Sequence, residues 1–285
     1  MMSKLYSWKK YFSEDDLPFQ AMIHRQVYRV IHHHEFLELV IVLNGKGIHY
    51  FAGHEYPIAA GDAFVIKEGI DHDYRNPENL IIANVLVDFD RLKVNLKDLE
   101  QIKGFHTLFV TEPMLRQQTT FNTRLFLSAK NLKTAEELVH ELIDEMQMRP
   151  PGYRFVAMNI FFRLLIHVSR CYGNMPHRKI SEMVQLSEMT RFIQNHYKQN
   201  VSRDEIVRAA HVSASTGSRL FRKLLNQTPV SYLNQFRIKK AIKMLQQGEF
   251  NITKIASSCG FRDSNYFATV FRKHTGKAPS RFFHR

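Results

Sequence analysis

Three histidines and two carboxylates fall within seven residues, HHHEFLE from His32 to Glu38. On a strand alternate side chains share a face, so His32 and His34 point the same way. Glu38, four residues on, has the same parity, whereas His33 and Glu35 have the opposite parity and are expected to face solvent. Imidazoles combined with a carboxylate suit Fe, Mn, Ni or Zn. The same groups also hydrogen-bond the hydroxyls of a small polar molecule. A second chemical pattern lies near the C-terminus. HVSASTGSRLFRK (His211 to Lys223) and CGFRDSNYFATVFRK (Cys259 to Lys273) share their punctuation, and both interleave hydroxyl-bearing and basic residues with buried-type apolar ones.

The elements that must hold these residues differ between the two ends of the chain. From Val27 to Leu86, β-branched and aromatic runs alternate with turns at Asn44-Gly45, Gly47, Ala52-Gly53, Gly61-Asp62 and Gly69. Short strands at that spacing predict a small sandwich or barrel. From Ala135 the period changes: Ala135, Leu138, Val139, Leu142, Ile143 and Met146 mark an amphipathic helix. A second helix is expected from about Phe155 to Cys171, after the MRPPGYR break. Asn159, Arg163 and His167 interrupt its apolar run, which predicts a buried helix rather than a membrane span. The loop at Tyr172–Lys179 is placed as a boundary, giving domains 1–177 and 178–285. Beyond it the sequence is helical, with Ser202 and Glu205 spaced as a capping box and a long helix from about Ser231 that ends at Gly248.

Charge follows the same division. Of a net charge of +13, residues 178–285 carry 20 Lys and Arg against 6 Asp and Glu, a net of +14, and the preceding residues carry −1. A solubility device would be spread over both parts. A concentrated excess predicts a polyanionic partner for the C-terminal domain alone. Two distant cysteines, Cys171 and Cys259, form neither a disulfide framework nor a zinc spacing, and a reducing, cytoplasmic setting is expected. The opening residues lack the apolar run of a secretion signal.

The C-terminal pattern is an internal repeat. Val207 matches Ala256 and Val212 matches Phe261 at an offset of 49; Leu220–Lys223 matches Val270–Lys273 at 50. One extra residue therefore enters the second copy near Asp263 or Ser264. Each copy reads as a short helix, a tight turn and a second helix, the helix-turn-helix plan. A rigid connecting helix would present the two second helices to successive major grooves about 34 Å apart.

The stretch from Ser187 to Phe283 resembles the AraC/XylS family of transcription regulators. Ile255-Ala256, Gly260-Phe261, Tyr266-Phe267, Phe271 and Pro279 carry the resemblance. The first copy departs from it: His211 stands at the usual turn glycine, and Gly217 at a usual leucine, where glycine costs a helix roughly 1 kcal/mol relative to alanine. The resemblance implies duplex DNA, RNA polymerase and a second copy of the chain as partners. Base-edge contacts are expected from Ser215, Ser218 and Arg219 in the first unit and from Asp263, Ser264, Asn265 and Thr269 in the second. Arg219 suits guanine, Asn265 adenine and Asp263 cytosine. Arg222, Arg272 and Lys273 are expected on phosphates.

The N-terminal spacing resembles the two cupin motifs, with His32, His34, Glu38 and Gly45 in the first and Gly61, Gly69, His72 and Asn76 in the second; Lys67 replaces the usual proline. The expected fold is therefore α+β multidomain: a cupin-like β-barrel with a helical linker, then an all-α domain with two helix-turn-helix units. Two readings of His32, His34, Glu38 and His72 stay open. In one they bind a small effector and no cofactor is required. In the other they hold a transition metal, as in a cupin oxygenase or isomerase with a helical appendix. Within the family the N-terminal part is most similar to regulators of L-rhamnose catabolism, which implies rhamnose or a related sugar as effector and an activating role. The two linker helices are expected to pair protomers in a homodimer.

Overall fold

The computed structural model describes residues 3–7, 10–12, 17–27, 30–92, 94, 96–118, 124–174, 178–247 and 251–282. The chain divides into two compact units, Met1–Val184 and Gln185–Arg285.

The first unit is built on one sheet of eight strands: β1 (Lys4–Tyr6), β2 (Phe19–Arg25), β3 (His32–His34), β4 (Leu37–Phe51), β5 (His54–Ala59), β6 (Asp62–Ile66), β7 (His72–Val87) and β8 (Leu125–Phe126). Two of these are longer than the turn spacing predicts. β4 has 15 residues and β7 has 16, and they pair antiparallel along most of their length. On its other edge β4 pairs first with β6, then with β5. The predicted turn at Asn44-Gly45 is thus a run of register shifts inside one strand, between Val42 and Ile48. Bulges bend a strand without ending it, which lets two long ribbons wrap one core. That core contains Val40, Val42, Phe51, Tyr56, Ile58, Phe64, Ile66, Tyr74, Leu80 and Ile82.

Three short helices follow: α1 (Lys97–Glu100), α2 (Lys103–His106) and, after a π-helical turn at Thr107–Thr111, α3 (Glu112–Gln118). The two predicted helices are α4 (Ala129–Met148) and α5 (Tyr153–Gly173). Ser128 caps α4 by accepting from Asn131 N, and Arg149 in a left-handed conformation ends it. At 21 residues α5 is long and apolar enough to cross a membrane by length and composition alone. It buries Ala157, Ile160, Phe161, Leu164, Leu165, Val168 and Tyr172 within its own unit. Phe161 stacks on Phe19 of β2 with ring centroids 4.1 Å apart.

The second unit is helical. α6 (Arg178–His196) leads into α7 (Arg203–Arg208), α8 (Ala214–Leu225), α9 (Pro229–Gln247), α10 (Ile252–Ser258) and α11 (Ser264–Thr275), with a closing 3-10 turn at Pro279–Phe282. Gly248, the expected end of the long helix, lies outside the described residues. The Ser202–Glu205 capping box is formed in both directions. Arg237 of α9 is largely buried and donates to the carbonyls of Tyr197 (2.8 Å) and Gln199 (2.7 Å), tying the end of α6 to the connecting helix.

Candidate functional site

Strand alternation places the histidines as expected. His32 and His34 are buried and His33 between them is not. Outside, His33 Nδ1 meets both Ser3 Oγ (2.9 Å) and Asp71 (3.2 Å), while Ser3 donates directly to Asp71 (2.6 Å). A nucleophilic relay needs the imidazole between hydroxyl and carboxylate, one on each nitrogen. Here a single nitrogen meets both, so the trio ties β1 to the barrel and activates nothing.

Inside, three side chains converge. His34 Nε2 lies 3.0 Å and His72 Nε2 3.5 Å from the same oxygen of Glu38, and the ligating atoms of the three lie within 4.8 Å of one another. His32 sits to the side, with its ring 4.2 Å from that of His72 and 4.8 Å from that of Tyr6. The backbone fixes all three tautomers. His32 Nδ1 faces Val30 O (3.1 Å), His34 Nδ1 faces Phe36 O (2.6 Å) and His72 Nδ1 faces Ile70 O (2.9 Å). A carbonyl can only accept, so each Nδ1 carries a proton; in the neutral ring Nε2 is then an acceptor, and for His34 and His72 that nitrogen faces Glu38. The Nδ1 donors are thus taken by the main chain and are not offered to a ligand. Together with Glu38 the neutral rings form a cluster of acceptors, which calls for hydroxyl protons, a cation, or protonation of an imidazole.

The electrostatics agree with a dry interior. Burial, then the neighbouring His72, lowers His32 to about 4. Burial pushes the Glu38 carboxyl up, and only a second proton on the facing Nε2 of His34 or His72, in place of its lone pair, lets hydrogen bonding and charge from these rings outweigh burial and hold the carboxyl well below its ordinary value. The sequence missed His49, which is fully buried and stacks on Phe64 (4.6 Å) and Tyr74 (5.2 Å). It missed Arg116 as well, a fully buried guanidinium bonded to Glu112 (2.8 Å) and to Val65 O (2.9 Å). Burial, then the Arg116 charge, lowers His49 well below the usual imidazole range.

In the second unit the helix-turn-helix geometry can be compared position by position. Ser213 caps α8 and Asp263 caps α11, at an offset of 50; the left-handed turn residues His211 (φ 54°) and Gly260 (φ 84°) stand at an offset of 49. Val212 and Phe261 keep the shorter offset, so the extra residue is Arg262, which is exposed. Ser215, Arg219 and Arg222 are exposed on α8, and Ser218 is half-buried. Ser264, Asn265, Thr269, Arg272 and Lys273 are exposed on α11. Asp263 has a further role. Its carboxylate accepts from Tyr266 N at 2.6 Å through Oδ1 and holds the helix start, a role the sequence reading did not give it and one that leaves the residue exposed. Thr269 Oγ1 donates to Asn265 O (3.0 Å) and Ser215 Oγ pairs with Ser213 Oγ (3.0 Å). Arg262 and Tyr266, the latter 52% exposed with its hydroxyl 3.2 Å from Asn234, lie beside the residues expected to read DNA. The change of offset pointed to the insertion but not to the side chain that fills it.

Known proteins resemble both units. The model of the AraC-like ligand binding domain matches residues 17–145, and that of a helix-turn-helix domain matches residues 206–285. The HTH-type transcriptional activator RhaR of Salmonella dublin is 28% identical over 100% of this chain and 98% of its own length, and that of Salmonella arizonae gives the same figures. A solved transcriptional regulator with an AraC-type DNA-binding domain, from Chromobacterium violaceum, is 28% identical over 34% of this chain and 88% of its own, with a TM-score of 0.33. The chain carries an AraC-like ligand-binding domain followed by a helix-turn-helix domain, the order of a DNA-binding transcription regulator rather than of an enzyme, and it is similar along its whole length to the RhaR activators.

Proposed function

We propose that the protein is a sugar-responsive activator of carbohydrate catabolism genes, working in the cytoplasm as a homodimer that contacts RNA polymerase. Its effector, rhamnose or a related sugar, binds at His34, Glu38 and His72, with His32 beside them. The observation that carries this reading is the buried convergence of His34 and His72 Nε2, their Nδ1 donors taken by the main chain, on the Glu38 carboxylate. Vicinal hydroxyls supply the protons such a cluster lacks. The relatives named RhaR, similar along the whole chain, support the activator role. Met148, Phe155 and Val156, exposed where α4 meets α5, support pairing through these helices. A thermal-shift screen of rhamnose and related sugars tests the effector: binding to the folded state raises the midpoint with ligand concentration, and Glu38→Ala abolishes the shift while DNA binding persists.

On DNA, Ser215, Ser218, Arg219, Asp263, Ser264, Asn265 and Thr269 read base edges, with Asp263 also capping its helix, and Arg222, Arg272 and Lys273 meet phosphates. A fragment of residues 178–285 is expected to bind duplex DNA with strong salt dependence and to protect two adjacent major grooves. Protection of one groove alone would remove the first unit from the reading.

The same acceptor set supports a second reading, a transition-metal ion held by His34, Glu38 and His72. The ligand types fit, and each imidazole has the outer hydrogen bond that orients a metal ligand. Near one metal per chain on elemental analysis, with a midpoint lowered by chelator, would favour it over the sugar.

A further inference from the structure

The barrel interior continues past the histidine cluster, and its polarity reverses. His49 lies 6.2 Å from His72, ring to ring, and neither of its nitrogens has a partner. On the same core, the guanidinium of Arg116 lies 5.0 Å from the ring of Phe64 and 4.6 Å from that of Phe51. Its Nη2 serves Glu112 and Val65 O, but its Nε and Nη1 are buried without a partner among the described residues. Arg124, 3.6 Å from Asp62 through Nη2, also has Nε and Nη1 buried and unpartnered. Glu112 Oε1 is the acceptor left open beside them.

A guanidinium has five N–H donors and no acceptor. Each arginine already faces one carboxylate, so the surplus here is in hydrogen-bond donors rather than in net charge. Buried donors in native proteins are almost always met by protein, water or ligand. At the other end, His34, Glu38 and His72 present acceptors. His49 stands between the two with one donor and one acceptor unused, and both guanidinium charges bear on it.

We propose that the effector is a polyhydroxylated carboxylic acid, a sugar acid of the aldonate or uronate type. Its hydroxyls donate to His34, Glu38 and His72, and its carboxylate accepts from Arg116 and Arg124 with His49 between. A neutral sugar satisfies the first end. A carboxylate has two oxygens to accept from several of the four open guanidinium nitrogens of Arg116 and Arg124 at once, more than a single hydroxyl oxygen does, and a neighbouring hydroxyl of the same acid donates to Glu112 Oε1. This rests on the effector reading of the same interior and narrows it.

The test uses the full-length protein and matched probes at equal concentration and ionic strength: L-rhamnose against L-rhamnonate, and D-galactose against D-galacturonate. In at least one pair the acid is expected to raise the thermal midpoint by several degrees more than the neutral sugar. Arg124→Gln, assayed at a temperature where the unliganded variant stays folded, is expected to weaken the acid on the order of tenfold or more by calorimetry while leaving any response to the neutral sugar in place. His49→Gln provides a second variant at the middle of the site. Equal shifts within both pairs, a response to neutral sugars alone, or an acid response unchanged in both variants would overturn the proposal and leave the sugar reading standing. Silence from all four probes would overturn both.

Discussion

The two helix-turn-helix units solve one packing problem in two ways. In the first, Val207 of α7 faces Gly217 of α8, and a Cβ on Gly217 would lie 2.5 Å from Val207 Cγ1. At the matching positions of the second stand Ala256 of α10 and Phe267 of α11, both buried. The large side chain comes from the first helix in one copy and from the second helix in the other. Gly217 therefore does not mark a weak recognition helix. It makes room for Val207, and its cost in helix propensity is offset by packing. The turns differ too. Gly260 takes a left-handed conformation under the carbonyl of Tyr197, where a Cβ would collide. His211 takes the same conformation in the first copy with its side chain exposed. The second turn is fixed by contact and the first only by its local backbone.

The largest expected effect is at the crowded turn. Gly260→Val should destabilise the C-terminal unit by about 2–4 kcal/mol, through left-handed strain and overpacking together. Far-ultraviolet dichroism against denaturant measures it, and a loss no greater than that of His211→Val would erase the contrast between the turns. Next is the packing exchange. Gly217→Leu should cost about 1–3 kcal/mol by overpacking despite its better helix propensity, and Val207→Ala should restore much of it. A double-mutant cycle with no coupling would break the compensation argument.

For DNA reading, Arg219→Ala and Asn265→Ala should each cost about 1–3 kcal/mol at the operator and relax preference at one base pair. Lys273→Ala should weaken all sequences alike and reduce the salt slope. Equal loss on random DNA for Arg219→Ala would make its role electrostatic. The smallest effect is at the looser turn, where His211→Gly should stabilise by roughly 0.5–1 kcal/mol, since glycine enters the left-handed region without steric cost but loses more chain entropy.

Much of this was legible in the chain. The repeat, the two offsets, the capping box and the sidedness of His32, His34 and Glu38 are local patterns, and local periodicity survives folding. Parity counting failed along β4. Val40 and Val42 point into the core on even numbers, but the register shifts between Val42 and Ile48 bring His49 and Phe51 inward on odd ones. A bulge leaves little trace in a single sequence, so His49 could not be assigned from spacing. Arg116 read as an ordinary basic residue of a short helix, because nothing local shows that Phe51, Phe64 and Tyr56 enclose it.

The sequence by itself determined the order of the two domains, the duplicated DNA-binding unit and the residue types in the barrel, since each rests on composition or on contacts a few residues apart. Only the tertiary structure decided the roles of individual groups. Main-chain carbonyls at Val30, Phe36 and Ile70 set the tautomers and turned three imidazoles into acceptors. Asp263 became a cap because its carboxylate lies within reach of Tyr266 N. Donor, acceptor and cap are properties of what a side chain faces, and segments far apart in the chain face one another only after folding.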